Sequence, residues 1–163
     1  PTTPGSQELG RRGGTHALPA IAGMGAAAEV AMEWLGDESS RQAVGALRDR
    51  LEQGIVERCP GAQINGDQGH RLWSVSNIGF PGLSSEALLL GLSERGVCVS
   101  AGAACASGSL EPSPVLLAMG VDERVAHGSI RLSLSRDTTE AEVEGAIDAV
   151  SRVVAQLSRA MPT

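Results

Sequence analysis

A small α/β (α+β) layer, with helices packed over one sheet of about three or four strands, is the fold class this sequence predicts. Three observations carry that expectation. Segments with helical periodicity alternate with short runs of strand character. The 163 residues suffice for one domain that buries a core without disulfides or metal. The apolar fraction is 42%, yet it includes only two Trp, one Phe and no Tyr, so the core is built from Ala, Val, Leu and Ile.

The elements follow in order. Residues 1–19 carry three Pro and four Gly with no apolar period and read as loop. From Pro19, a residue suited to a first helical position, Ile21, Met24, Ala28, Met32 and Leu35 recur at helical spacing up to Gly36, with Gly23 and Gly25 as weak points. A second helix follows Asp37 to Ser40. Val44, Leu47, Leu51 and Ile55 share one face of it, Arg48, Asp49, Arg50 and Glu52 form a solvated face, and Pro60-Gly61 ends it. Alternation of Leu72, Ser74 and Ser76 with Trp73, Val75 and Asn77 predicts a strand between Gly69 and Pro81. The next helix opens at Ser84 or Ser85, buries Leu88, Leu89 and Leu92, and is capped by Gly96; Val97-Cys98-Val99 reads as a short strand.

Residues 100–109, SAGAACASGS, are all small and predict a mobile loop bearing the thiol of Cys105. A short helix near Ser113 to Met119 and a strand from Ser129 to Leu134 follow. The terminal helix is opened by a capping box, Thr139 with Glu142, and Val143, Ile147, Val150, Val154 and Leu157 make its apolar stripe.

Composition narrows the function classes. Thirteen basic residues against nineteen acidic ones give a net charge of -6, and aromatic stacking platforms are scarce, so nucleic acid is not an expected partner. No apolar run is long enough to span a bilayer and no signal peptide opens the chain, so no membrane partner and a cytoplasmic location are expected. Three irregularly spaced cysteines do not form a disulfide framework or a metal-ligand motif, and His16, His70 and His127 lack metal-ligand spacing; no metal is expected. All thirteen basic residues are Arg, so lysine-dependent chemistry cannot be complete within this chain.

Cys105 is the best nucleophile, because a thiol on a loop of small residues can reach a substrate. Loop placement alone is equally compatible with an ordinary surface cysteine. Cys98, between two valines, and Cys59, before Pro60, read as packed structural thiols. Arg131 interrupts an apolar strand and points opposite Ile130 and Leu132; on an exposed face that is ordinary, whereas beside a cleft its guanidinium could grip a carboxylate through two hydrogen bonds. Thr15, after Arg11-Arg12-Gly13-Gly14, could meet a phosphate, although the spacing is not that of a P-loop or a dinucleotide fingerprint.

Five segments together resemble group I cysteine desulfurases of the NifS/IscS type, within the class V aminotransferases. Gln7-Glu8-Leu9-Gly10-Arg11-Arg12-Gly13-Gly14-Thr15 is similar to the family's Q-E-x-G-x-R-x-G-T, and Ser76-Asn77-Ile78-Gly79-Phe80 to its S-N-I-S-F. The segment from Ser100 to Ser109, followed by Leu110-Glu111-Pro112-Ser113, resembles the cysteine loop S-S-G-S-A-C-S-S-G-S with its L-E-P-S continuation. Ala126-His127-Gly128-Ser129-Ile130-Arg131 and Thr138-Thr139-Glu140 match A-H-G-S-I-R and T-T-E. Departures are Ala17, where the family has Asn after G-T-x, the loss of loop hydroxyls at Ala101, Ala103 and Ala106, and the missing lysine and cofactor domain.

The resemblance implies the small C-terminal domain of a fold-type I pyridoxal-phosphate enzyme. Residues 1–18 would belong to the cofactor-domain side of the active site, and residues 19–163 would form the small domain with its cysteine loop at 100–109. It implies that Cys105 takes sulfur from L-cysteine as a persulfide and leaves alanine, that Arg131 binds the substrate α-carboxylate, and that Thr15 reaches the cofactor phosphate of the other subunit of a homodimer. Without lysine this chain cannot attach pyridoxal phosphate covalently and is expected to be inactive alone. Its partners would be the large cofactor domain, a homodimer mate, and an iron-sulfur scaffold or other sulfur acceptor. A selenocysteine lyase-like enzyme and a non-enzymatic sulfur-carrier or interaction module are the alternatives.

Overall fold

The computed structural model describes Leu9, Arg11 and residues 13–101 and 111–160. The chain forms two compact units, Pro1–Ser40 and Arg41–Thr163, rather than the single domain that the length suggests. In the first unit, α1 (Leu18–Gly36) starts one residue ahead of the expected Pro19. None of its residues is buried, and Ile21, Met24, Met32 and Leu35 of the predicted stripe are exposed. α2 (Glu38–Arg58) opens at the end of this unit, where Asp37 Oδ1 accepts from the Ser39 amide at 3.0 Å.

The second unit continues with β1 (Gln63–Ile64), β2 (Val75–Gly79), α3 (Ser85–Ser93), β3 (Ser100–Ala101), α4 (Pro114–Ala118), α5 (Glu123–His127), β4 (Ser129–Ser133) and α6 (Glu140–Ala160). The four strands make one antiparallel sheet in the order β1-β2-β4-β3. α2, α3 and α6 over one face of this small sheet make the predicted α/β layer.

Strand alternation sorts the two faces of the sheet. Ile78 of β2 and Ile130 and Leu132 of β4 point into the core with Leu51 and Ile55 of α2, Leu88 and Leu92 of α3, and Val143, Ile147, Val150 and Val153 of α6. Each such fully buried aliphatic side chain contributes about 1.5–3 kcal/mol by leaving water. Val154 and Leu157 of the predicted α6 stripe are only partly buried at its edge. The capping box forms as expected: Thr139 N–H donates to Glu142 Oε2 at 2.8 Å, and the Glu142 amide donates to Thr139 Oγ1 at 3.3 Å. The Thr139 amide, and the Thr139 hydroxyl that also donates to Oε2 at 2.9 Å, hold the Glu142 carboxyl below its usual range.

Three expectations need correction. The polar face of α2 is not uniformly solvated: Arg48 and Glu52 are buried, at 9% and 3% exposure. The segment before β2 folds back over them, so that Arg48 Nη1 donates to the Leu72 carbonyl at 2.7 Å and Arg71 forms a two-pronged pair with Glu52 at 2.5 and 2.7 Å. Val97-Cys98-Val99 is not a strand; pairing begins two residues past Cys98, at Ser100 and Ala101, the first residues of the expected loop. Cys98 is consequently exposed rather than packed. β1 and α5 were not anticipated, being too short to show a period.

Candidate functional site

The sheet face turned away from the core is polar. Asn77 on β2, Arg131 on β4 and Ser100 on β3 lie side by side in register across three strands, which sets neighbouring side chains about 5 Å apart at their Cβ atoms. Arg131 is exposed, and among the described residues its guanidinium has no hydrogen bond or ion pair. Ile130 and Leu132 on either side of it are buried at 0% and 4% exposure, which fixes the direction in which Arg131 points.

One end of this face is closed by α5. Ser129 Oγ donates to the Val125 carbonyl at 2.7 Å, and Gly79 permits the approach, since a Cβ there would run into Val125 and lie 2.8 Å from Ser129 Oγ. Asn65, just past β1, bridges toward this closed end: its amide N–H donates to the Asn77 carbonyl at 2.8 Å, and its Nδ2 donates to Asn77 Oδ1 at 2.7 Å and to Ser129 Oγ at 2.9 Å. Sequence reasoning passed over Asn65 and Asn77, and gave Ser129 no role of its own. The motif around residues 76–80 contained Asn77, but nothing local signals that Asn65 reaches it.

Of the residues singled out from sequence, Arg131 lies on this open face. Cys105 lies outside the described residues; β3, whose last residue Ala101 stands four positions before it in the chain, pairs directly with the Arg131 strand. Thr15 belongs to the first unit, where it is exposed and follows Gly14 at φ +91°. No cradle surrounds that glycine: a Cβ on it would meet nothing within 4 Å among the described residues. With no lysine in the sequence, this chain does not by itself provide a complete pyridoxal-phosphate site.

The two described thiols differ sharply. Cys59 is buried, and burial pushes its thiol pKa up, only partly opposed by Arg58. Cys98 opens onto a groove of about 460 Å³ between the α3–β3 connection and α6, lined by Val97, Leu132, Val143 and Ala146 among others. Brief treatment of the native chain with a small alkylating reagent is therefore expected to label Cys98 at the rate of a free thiol and Cys59 roughly a hundredfold more slowly. Peptide mapping by mass spectrometry checks this, and equal labelling would show that the Cys59 environment opens readily. No helix among the described residues is long and apolar enough to cross a membrane, and no group of three or more His, Cys, Asp or Glu among them could hold a metal.

Known proteins share this sequence and fold. A cysteine desulfurase of Gluconacetobacter diazotrophicus is 46% identical over 158 residues, covering 97% of this chain and 39% of the relative. Cysteine desulfurase NifS of Azotobacter vinelandii gives the same identity and coverage. The NifS-like protein of Rickettsia africae superposes with a TM-score of 0.77 at 30% identity, over 93% of this chain and 38% of that one. The chain thus spans about two fifths of the length of the curated relatives it matches. The profile of the Aminotransferase class-V family matches residues 3–145, so a run that includes both the exposed Thr15 segment and the Arg131 face carries the family pattern, and this chain belongs to the class-V aminotransferases.

Proposed function

We propose that this chain is the small-domain portion of a cysteine desulfurase, in which Arg131 holds the α-carboxylate of L-cysteine and Cys105 accepts its sulfur. The observation that carries the reading is the row Asn77-Arg131-Ser100: an exposed guanidinium with no ion pair among the described residues, beside the strand that precedes the Cys105 segment in sequence. A guanidinium meets a carboxylate through two parallel hydrogen bonds, which fixes the amino acid's orientation as well as its charge.

The transfer balances within its two reactants. The Cys105 thiolate attacks the substrate sulfur and a new S–S bond forms. The C–S bond of the substrate breaks, the electron pair left on carbon is protonated, and alanine departs while Cys105 keeps a persulfide. A lysine-bearing portion beyond these residues would hold pyridoxal phosphate, which would supply an electron sink. In a homodimer Thr15 would meet that cofactor's phosphate across the subunit boundary, where the other subunit would complete the site, and the persulfide would pass to an iron-sulfur scaffold or another acceptor in the cytoplasm. The unburied apolar residues of α1 fit a chain that packs against such a larger body. Alone, the chain is inactive.

Joining this chain to a lysine-bearing cofactor portion is expected to give sulfide and alanine from L-cysteine. Arg131→Lys in that assembly should raise KM at least tenfold or so, because a point charge does not reproduce the forked grip. Turnover with an unchanged KM would remove Arg131 from the substrate site. No turnover in any assembly would favour a sulfur-carrying module, the reading that the missing lysine also supports.

A further inference from the structure

We propose that Asn77 is a second carboxylate-recognition residue, presenting its Nδ2 donors beside Arg131 to one oxygen of the amino-acid substrate's carboxylate. The inference rests on the substrate reading above and adds to it a residue and a device that orients it.

The device is a chain of hydrogen bonds with only one consistent polarity. The Val125 carbonyl can only accept, so the Ser129 hydroxyl spends its proton there, at 2.7 Å. Ser129 Oγ must then accept from Asn65, at 2.9 Å, which identifies the facing atom of Asn65 as Nδ2. The second hydrogen of that same Nδ2 points at Asn77, at 2.7 Å, so Asn77 faces it with Oδ1. The Asn77 backbone carbonyl accepts from the Asn65 amide at 2.8 Å, which holds the two residues together. Turning either amide over would place two donors or two acceptors nose to nose, costing about 1–3 kcal/mol for each group left unsatisfied.

The carboxamide of Asn77 is therefore locked with its oxygen committed and its Nδ2 hydrogens uncommitted among the described residues. Asn77 alternates with the core-facing Ser76 and Ile78, so its side chain leaves the sheet on the Arg131 face, and its register partner on β4 is Arg131 itself. Donors from an amide and a guanidinium on paired positions of adjacent strands suit an anion with two oxygens. A carboxylate meets that requirement; an ammonium group or an apolar side chain does not.

Asn77→Asp is the informative variant, because it is isosteric and keeps the oxygen that Asn65 requires while replacing the outward donors by an acceptor. In the assembly with the lysine-bearing portion it should raise KM for L-cysteine tenfold to hundredfold, with a much smaller change in kcat, as expected when a hydrogen bond to a charged group is lost from substrate binding. Asn65→Asp should act in the same direction, since a carboxylate there makes Asn77 turn its oxygen outward. In the ¹⁵N-labelled chain, adding L-alanine should shift the Asn77 side-chain amide resonances together with Arg131 Nε–H. If Arg131→Lys raises KM and Arg131 Nε–H responds to L-alanine while Asn77→Asp leaves KM unchanged and the Asn77 amide does not move, the proposal is overturned and the substrate reading stands. If neither residue responds in either measurement, the substrate reading itself falls, and this inference with it.

Discussion

Replacing Cys105 by Ser in the assembled enzyme is expected to abolish persulfide formation, a loss of at least about a thousandfold in desulfuration. The argument is chemical. The product of the step is an S–S bond, and a serine oxygen is neither ionised near neutral pH nor able to hold sulfur in a reversible bond. On the proposed reading substrate binding should survive, because Arg131 is held on β4 between the buried Ile130 and Leu132. Mass spectrometry after incubation with L-cysteine should show one added sulfur on the parent protein and none on the variant. The exposed Cys98 makes this a genuine choice between thiols. Persulfide retained in Cys105→Ser and lost in Cys98→Ser would transfer the role to the residue that opens onto the α6 groove.

Glu52→Gln is expected to cost about 3–5 kcal/mol of stability in the chain, the range for removing one partner of a buried ion pair. Glu52 is 3% exposed, and both its oxygens are engaged by Arg71. That pairing, foremost the hydrogen bonds to Glu52, holds the Arg71 guanidinium above its ordinary range. With the charge gone, Arg71 keeps one hydrogen bond to the amide oxygen and the longer ionic contact to Asp49, at 3.4 Å, but faces an amide donor in place of the second oxygen, while Arg48 nearby is also buried. Urea denaturation of the two proteins should show a lowered midpoint at an unchanged slope. The double variant Glu52→Leu/Arg71→Met should recover much of the loss, since a well-packed apolar pair avoids desolvating two charges. A cost under about 1 kcal/mol for Glu52→Gln would place the pair with the solvent-screened bridges such as Arg50–Glu144, which link α2 and α6 on the surface.

Features that depend on neighbours a few residues apart were legible in the sequence. The α6 start was legible because Thr139 and Glu142 satisfy each other's backbone within one turn. The end of α3 was legible because Gly96, at φ +76°, takes a conformation few other residues tolerate. The orientation of Arg131 followed from strand alternation, which needs no knowledge of what lies on either side.

Which polar groups meet across long stretches of chain emerged from the folded arrangement alone. Arg48 and Glu52 look like a wet helix face until Arg71 and Leu72 fold over them from about twenty residues away. Cys98 looks packed between valines until the strand proves to start at Ser100. Asn65, Asn77 and Ser129 carry no shared local signal, yet they make one directional chain spanning 64 residues. Periodicity records which side chains leave water, a property each residue expresses against its neighbours in sequence. The polarity of an amide and the partner of a buried charge are instead set by whatever the fold brings opposite them, and that information resides in no single segment.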